Sequence, residues 1–129
     1  MSVLTTTTRH YLSVTDMSAE ETWELLRTAA EFKHEPVYRP RHGPLASQTL
    51  AMIFEKPSLR TRVSFEAGMT QLGGHAIYLG PSDIQLGVRE TVEDVALTLS
   101  RMADVIMARV FKHATVEALA RHATVPVIN

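Results

Sequence analysis

The hydrophobic and polar positions divide the chain into two textures. From Thr49 onward, short apolar runs alternate with longer segments at helical spacing. The runs are Thr49-Leu50-Ala51-Met52-Ile53-Phe54, His75-Ala76-Ile77-Tyr78-Leu79, Asp104-Val105-Ile106-Met107-Ala108 and Val125-Pro126-Val127-Ile128, and each reads as a strand. Between them lie amphipathic stretches at about residues 62–72, 91–102 and 115–122. Gly73-Gly74 closes the first, and Thr91 to Asp94 gives the second a capping signal. Gly80-Pro81-Ser82-Asp83 breaks the second strand into a loop that continues to Arg89. Strand cores that are nearly continuous in apolar residues and alternate with helices predict an α/β fold. The expected architecture is three-layer α/β/α with a central parallel sheet of about four strands. Pro126 cannot donate to a ladder, so the last strand is expected at an edge or only beginning there.

Before Thr49 the pattern is looser. Residues 1–10 are rich in Thr and read as an arm or a frayed end. Ser18-Ala19-Glu20-Glu21 reads as a capping box that opens a helix running to about Lys33. Trp23, Leu26, Ala29 and Ala30 share one face of that helix, which is expected to be buried, with the Trp in the core. Residues 34–47 hold Pro36, Pro40, Gly43 and Pro44 and read as a loop. Its Arg39, Arg41 and His42 fit a solvated connection better than a phosphate patch.

Composition narrows the classes. The chain of 129 residues suits one domain with a real core, and 45% hydrophobic residues fit a globular protein. A net charge of -1 supplies no global field for nucleic acid. There is no cysteine, hence no disulfide, thiolate metal site or cysteine nucleophile. No apolar run approaches the roughly 20 residues that cross a bilayer, and the N-terminus lacks the apolar core of a signal peptide. A cytoplasmic location without membrane contact is the expectation. The six histidines show no paired metal-ligand spacing, there is no P-loop, and Gly73-Gly74 is too short for a dinucleotide fingerprint. Neither metal nor cofactor is expected.

Chemistry concentrates where the first strand ends, in Phe54-Glu55-Lys56-Pro57-Ser58-Leu59-Arg60-Thr61-Arg62. Pro57 stops the strand, and Ser58 is placed to cap a helix whose free amides and dipole favour an anion. Arg60 and Thr61 sit in the first turn, where a guanidinium and a hydroxyl can grip a phosphate. Arg62 can do the same, or pair with Glu66 four residues on. Two arginines alone would read as a solvated helix start. Ser, Thr and two Arg in one turn after a buried strand point to a phosphate site. Ligands of open α/β sheets bind beyond the carboxyl ends of the strands. Residues 58–62, 80–89, Arg109 and Asn129 all end there, and the first three bring polar or basic groups to one edge. Arg109 alone would read as a solvent-facing strand end, and Gln85 alone as a loop glutamine.

Residues 54–62 resemble the carbamoyl-phosphate loop of the transcarbamylases, and the chain from about Ser18 to its last residue resembles the ornithine branch of that family. The family loop reads Ser-Thr-Arg-Thr-Arg, so Leu59 departs from it at a position expected to contribute mainly its amide. The resemblance implies that Arg60 and Arg109 are catalytic. It implies that Ser58, Leu59, Arg60, Thr61, Arg62, Gln85 and Arg109 bind carbamoyl phosphate. Arg89, which stands where the family often has lysine, is a further candidate. The segment Leu79-Gly80-Pro81-Ser82 with Gln85 and Gly87 resembles a family loop that reaches a neighbouring subunit's site, which implies a homo-oligomer, at least a trimer. In the aspartate branch that loop uses a lysine and a different sequence, and Glu55-Lys56 before Pro57 also favours the ornithine branch.

The family's His-Pro-x-Gln motif and its second, amino-acid-binding domain do not occur in the sequence. Residues 1–129 are therefore expected to be a carbamoyl-phosphate-binding domain truncated near its C-terminal end and inactive alone. The implied reaction carries the carbamoyl group of carbamoyl phosphate to the δ-amine of L-ornithine. It gives L-citrulline and phosphate, in arginine biosynthesis or catabolism, and L-ornithine binds only with the second domain. The alternatives are transfer to another amine, aspartate or an ornithine relative, and a non-catalytic module that binds phosphate or subunits.

Overall fold

The carboxyl edge of the sheet is set by how four strands are ordered. The computed structural model describes residues 8–34 and 42–129. The Thr-rich residues 1–7 and the loop residues Pro36, Arg39, Pro40 and Arg41 lie outside the described residues. Strands β1 (Thr49–Phe54), β2 (His75–Leu79), β3 (Val105–Arg109) and β4 (Val127–Ile128) form one parallel sheet in the order β2-β1-β3-β4. The chain steps outward from β1 to β2, crosses back to β3, and continues to β4. The order reverses between β1 and β3, so the connections leaving these neighbours part to opposite faces. Such a switch point leaves a crevice at the strand ends.

Alternation along β1 explains the layers. Leu50, Met52 and Phe54 join Met107 of β3 and Met69 of helix α2 (Leu59–Gln71) in one core cluster. Ile53, with Ile106, Ala108 and Val127, joins the other. There it meets Val95 and Ala96 of α4 (Val92–Ser100) and Val116, Leu119 and Ala120 of α5 (His113–His122). One helix therefore covers one face and two cover the other, giving the expected three layers. Met52, Ile106, Val116, Leu119 and Val127 are fully buried, each contributing about 1.5–3 kcal/mol of transfer free energy.

The local signals hold with small shifts. Ser58 caps α2, and just past its C-terminal end Gly73 takes φ 90°, a backbone conformation open to glycine. The amides of Gly73 and Gly74 donate to the carbonyls of Thr70 and Met69, so the last turn is closed by the chain leaving it. The break after β2 holds one short helical turn, α3 (Pro81–Ile84). Helix α5 begins two residues earlier than expected, and β4 is shorter, beginning after Pro126.

Two expectations are corrected. Helix α1 (Ala19–His34) forms and carries the expected box: Ser18 N donates to Glu21 Oε2 at 2.8 Å, and Glu21 N to Ser18 Oγ at 3.1 Å. Its apolar face, however, is not buried. Trp23 is 67% exposed, Leu26 is 53% exposed, Ala29 and Ala30 are exposed, and no residue of the helix is buried. Spacing fixes which residues share a face, not whether another element lies on it.

The chain before α1 is also no frayed end over residues 8–12. Tyr11 N donates to Val127 O at 2.9 Å, and Asn129 N to Tyr11 O at 2.9 Å, so Tyr11 pairs with the edge of β4. Val127 N donates to His10 Nδ1 at 3.1 Å, and Thr8 Oγ1 to Thr124 O at 3.0 Å. Covering an otherwise unpaired strand edge removes a template for stray pairing. Among the described residues no helix is long and apolar enough to cross a membrane.

Candidate anion site at the carboxyl edge

At the end of β1, Pro57 interrupts the ladder and Ser58 takes an extended backbone (φ −156°, ψ 109°) as the cap of α2. Ser58 Oγ accepts from Thr61 N at 3.4 Å and donates to Thr61 Oγ1 at 2.9 Å. A helix start leaves its first amides, here those of Leu59 and Arg60, without intrahelical acceptors. They share one turn with two hydroxyls and the Arg60 side chain, so hydrogen-bond donors and positive charge converge there. Leu59 is 79% exposed, so its side chain lies in solvent.

Arg109 is the last residue of β3 and stands in register with Phe54. Glu55 N donates to its carbonyl at 2.9 Å, the last rung before the strands part. Its Nε is buried and has no hydrogen-bond partner among the described residues. A buried donor without an acceptor costs about 1–3 kcal/mol, more when charged. An acceptor supplied by an anionic ligand removes that cost.

Arg62 is engaged elsewhere in its turn. Its Nε donates to Glu66 Oε2 at 2.9 Å, and its guanidinium carbon lies 3.7 Å from the Tyr78 ring centroid. The hydrogen bond to Glu66 raises its pKa above the ordinary arginine value. Among the described residues Arg60, Arg89 and Arg109 form no ion pair.

Gln85 follows α3 in the left-handed region (φ 52°, ψ 58°), and its carbonyl accepts from Val88 N and Arg89 N, both at 2.9 Å. Gly87, with φ 77°, turns the chain so that its amide donates to Glu90 O at 2.7 Å. The loop thus holds itself by its own backbone, while the side chains of Gln85 and Arg89 are exposed. A cleft of about 280 Å³ separates this loop from the end of β1; Phe54, Glu55, Gly80, Gln85, Val88 and Phe111 line it. Ser58, Arg60, Thr61 and Arg109 do not line that cleft. The structure therefore brings Ser58, Leu59, Arg60 and Thr61 into one turn. It sets Arg109 at the neighbouring strand end and leaves Gln85 and Arg89 on a separate loop.

Sequence reasoning passed over Glu55 as a contact. Its carboxylate Oε2 accepts from Phe111 N at 2.7 Å, and Lys56 Nζ lies 5.3 Å from the Phe111 ring centroid. The available signal was an acidic residue directly after a buried strand. Its partner lies 56 positions away, beyond the reach of local pattern. Among the described residues no three His, Asp or Glu side chains gather as metal ligands would.

A parallel sheet with a switch point, a capped helix start and an arginine with an unpartnered Nε at the next strand end defines an α/β domain suited to an anionic ligand. The chain belongs to the aspartate/ornithine carbamoyltransferase family, and its residues 9–129 match the family's carbamoyl-P binding domain. An ornithine carbamoyltransferase from Anoxybacillus flavithermus is 53% identical over 121 residues, covering 94% of this chain and 38% of that protein. The crystal structure of anabolic ornithine carbamoyltransferase from Campylobacter jejuni superposes with a TM-score of 0.87 at 45% identity, covering 94% of this chain and 38% of that one. The catalytic subunit of M. jannaschii aspartate transcarbamoylase gives 0.80 at 29% identity, covering 94% and 40%. The chain thus spans about 38–40% of the length of the curated relatives it matches.

Proposed function

We propose that this chain is the carbamoyl-phosphate-binding part of an ornithine carbamoyltransferase, with the ornithine-binding domain lying outside residues 1–129. The observation that carries this reading is the buried, unpartnered Nε of Arg109, at the end of the strand that neighbours the one leading into the capped start of α2. Ser58, Thr61, the amides of Leu59 and Arg60, and the Arg60 guanidinium hold the phosphate. Arg109 reaches the carbonyl oxygen and the phosphate together. Arg62 contributes by exchanging its Glu66 partner for the ligand, with Arg89 at the margin.

The δ-amine of L-ornithine attacks the carbamoyl carbon. The bond from that carbon to the bridging oxygen breaks, phosphate departs, and the amine loses a proton to give L-citrulline. No covalent intermediate is required. Donors fixed in advance stabilise charge growing on the carbonyl and leaving oxygens, and removing one such group typically costs about 10²–10³ in rate. Holding both reactants lowers the entropic barrier further. Gln85 serves the site of a neighbouring subunit in a trimer, and the enzyme acts in arginine metabolism in the cytoplasm.

Ornithine rather than aspartate is favoured by identity in the superposed structures: 45% to an ornithine enzyme against 29% to an aspartate enzyme. This chain alone binds and does not turn over. Calorimetry with carbamoyl phosphate tests the site: binding that disappears in Arg60→Ala supports it, and equal heats from both proteins overturn it. Citrulline formation by the purified 129-residue chain would refute its inactivity.

A further inference from the structure

We infer that Glu55 is a positioning residue that holds Arg109 in place against the first turn of α2, through the hydrogen bond from Phe111 N to its carboxylate. The inference rests on the reading of this edge as the carbamoyl-phosphate site. At the switch point β1 and β3 lose their common ladder: Phe54 and Arg109 are the last registered pair. Beyond them α2 leaves toward one face and α5 toward the other. Nothing in strand pairing then fixes the turn carrying Ser58 and Arg60 relative to the turn carrying Arg109.

Glu55 makes the last rung of the ladder with its backbone and supplies one further tie with its side chain. Its amide donates to Arg109 O at 2.9 Å, and its Oε2 accepts from Phe111 N at 2.7 Å. The two bonds bracket Val110, so the backbone is held directly after Arg109, while the β1–β3 ladder holds it before. Lys56 lies over the Phe111 ring at 5.3 Å and covers the same turn.

The partner of the carboxylate is informative. Lys56, Arg60 and Arg109 are all close in sequence or register, yet among the described residues Glu55 forms no ion pair. An ion pair with Arg109 would neutralise the cation that faces the ligand. Bonding to a backbone amide leaves that cation unpaired, as its Nε is. Through space, a carboxylate beside an anion site opposes binding. Its favourable contribution therefore acts through the bond it accepts, and an uncharged acceptor of the same length serves as well.

Three variants measured beside the parent protein decide the matter: Glu55→Ala removes the acceptor, Glu55→Gln keeps it without the charge, and Arg60→Ala serves as the binding control. Two quantities are read in each. One is the Nε–Hε resonance of Arg109 in the free protein, by ¹⁵N NMR; the other is carbamoyl-phosphate affinity by calorimetry. Glu55→Ala is expected to shift or broaden the Arg109 signal and to weaken binding by about tenfold, the scale of one lost hydrogen bond. Glu55→Gln is expected to restore both. An unchanged Arg109 signal in Glu55→Ala overturns the inference, as does an affinity equal to the parent's. If neither the parent protein nor Arg60→Ala binds, the site reading falls, and the Arg109 signal of the free proteins still decides whether Glu55 positions the guanidinium.

Discussion

Helices α1 and α5 have similar apolar stripes and opposite surroundings. In α5, Val116, Leu119 and Ala120 are buried against the sheet. In α1, Trp23 and Leu26 stand in solvent. α5 is the crossover between β3 and β4, so parallel topology forces it onto the sheet. α1 precedes the first strand and has no such obligation. Among the described residues it is tied at its N-terminal end, where Arg9 meets Glu21 at 2.7 Å and the preceding residues pair with β4. Amphipathicity is a property of sequence, whereas burial is a property of connection.

The sharpest way to break this contrast is truncation on each stripe. Leu119→Ala is expected to cost about 2–5 kcal/mol in urea unfolding. Leu26→Ala is expected to stay within about 0.5 kcal/mol. A large loss from Leu26→Ala would mean that the face of α1 is covered in solution. Cap removal comes next: Ser18→Ala is expected to destabilise by about 1 kcal/mol at most, read as lost helicity by circular dichroism, since little packing supports α1.

A smaller effect follows from pH, at the segment that leads into α1. His10 accepts through Nδ1 and is therefore neutral, and burial lowers its pKa from the ordinary 6.5. A histidine with a depressed folded pKa contributes stability that is complete above the unfolded value. That contribution declines as pH falls below about 6.5 toward the folded value. His10→Gln should flatten the slope of the melting temperature in that window. An unchanged slope would show that His10 does not anchor the segment. At lower pH the start of α1 itself titrates. Hydrogen bonds from Arg9 first, then from Ser18 N, hold Glu21 down to about 2 against its ordinary 4.5. Its contribution is present above about 4.5 and lost as pH falls through about 2. The smallest effect is optical: Trp23, the sole tryptophan, should emit as a solvated indole and be quenched by acrylamide.

What was legible in the sequence was local. The strands could be read because parallel strands buried on both faces are apolar along their length. The caps at Ser18, Ser58 and Thr91 could be read because acceptor and donor lie three residues apart. Helix α2 begins at Leu59, directly after its cap, ahead of the amphipathic stretch at about residues 62–72. What could not be read depends on distant partners. The openness of α1 follows from what does not lie on it, the pairing of Tyr11 from β4, and the grip of Glu55 from Phe111. At the candidate site, the chemistry of residues 58–61 was visible in their order. The isolation of the Arg109 Nε emerged only with the packing around it.

The pairing of Tyr11 with the β4 edge also has a meaning in time. The residues it joins are made far apart in time on a ribosome. At about 5–20 residues per second, Tyr11 waits on the order of ten seconds before Val127 is made. This pairing therefore forms after β1, β2 and β3 are made, between segments far apart in sequence, a slow class of contact. Until then the extended segment around Tyr11 has no partner and is open to any strand edge nearby, those of neighbouring chains on a polysome included.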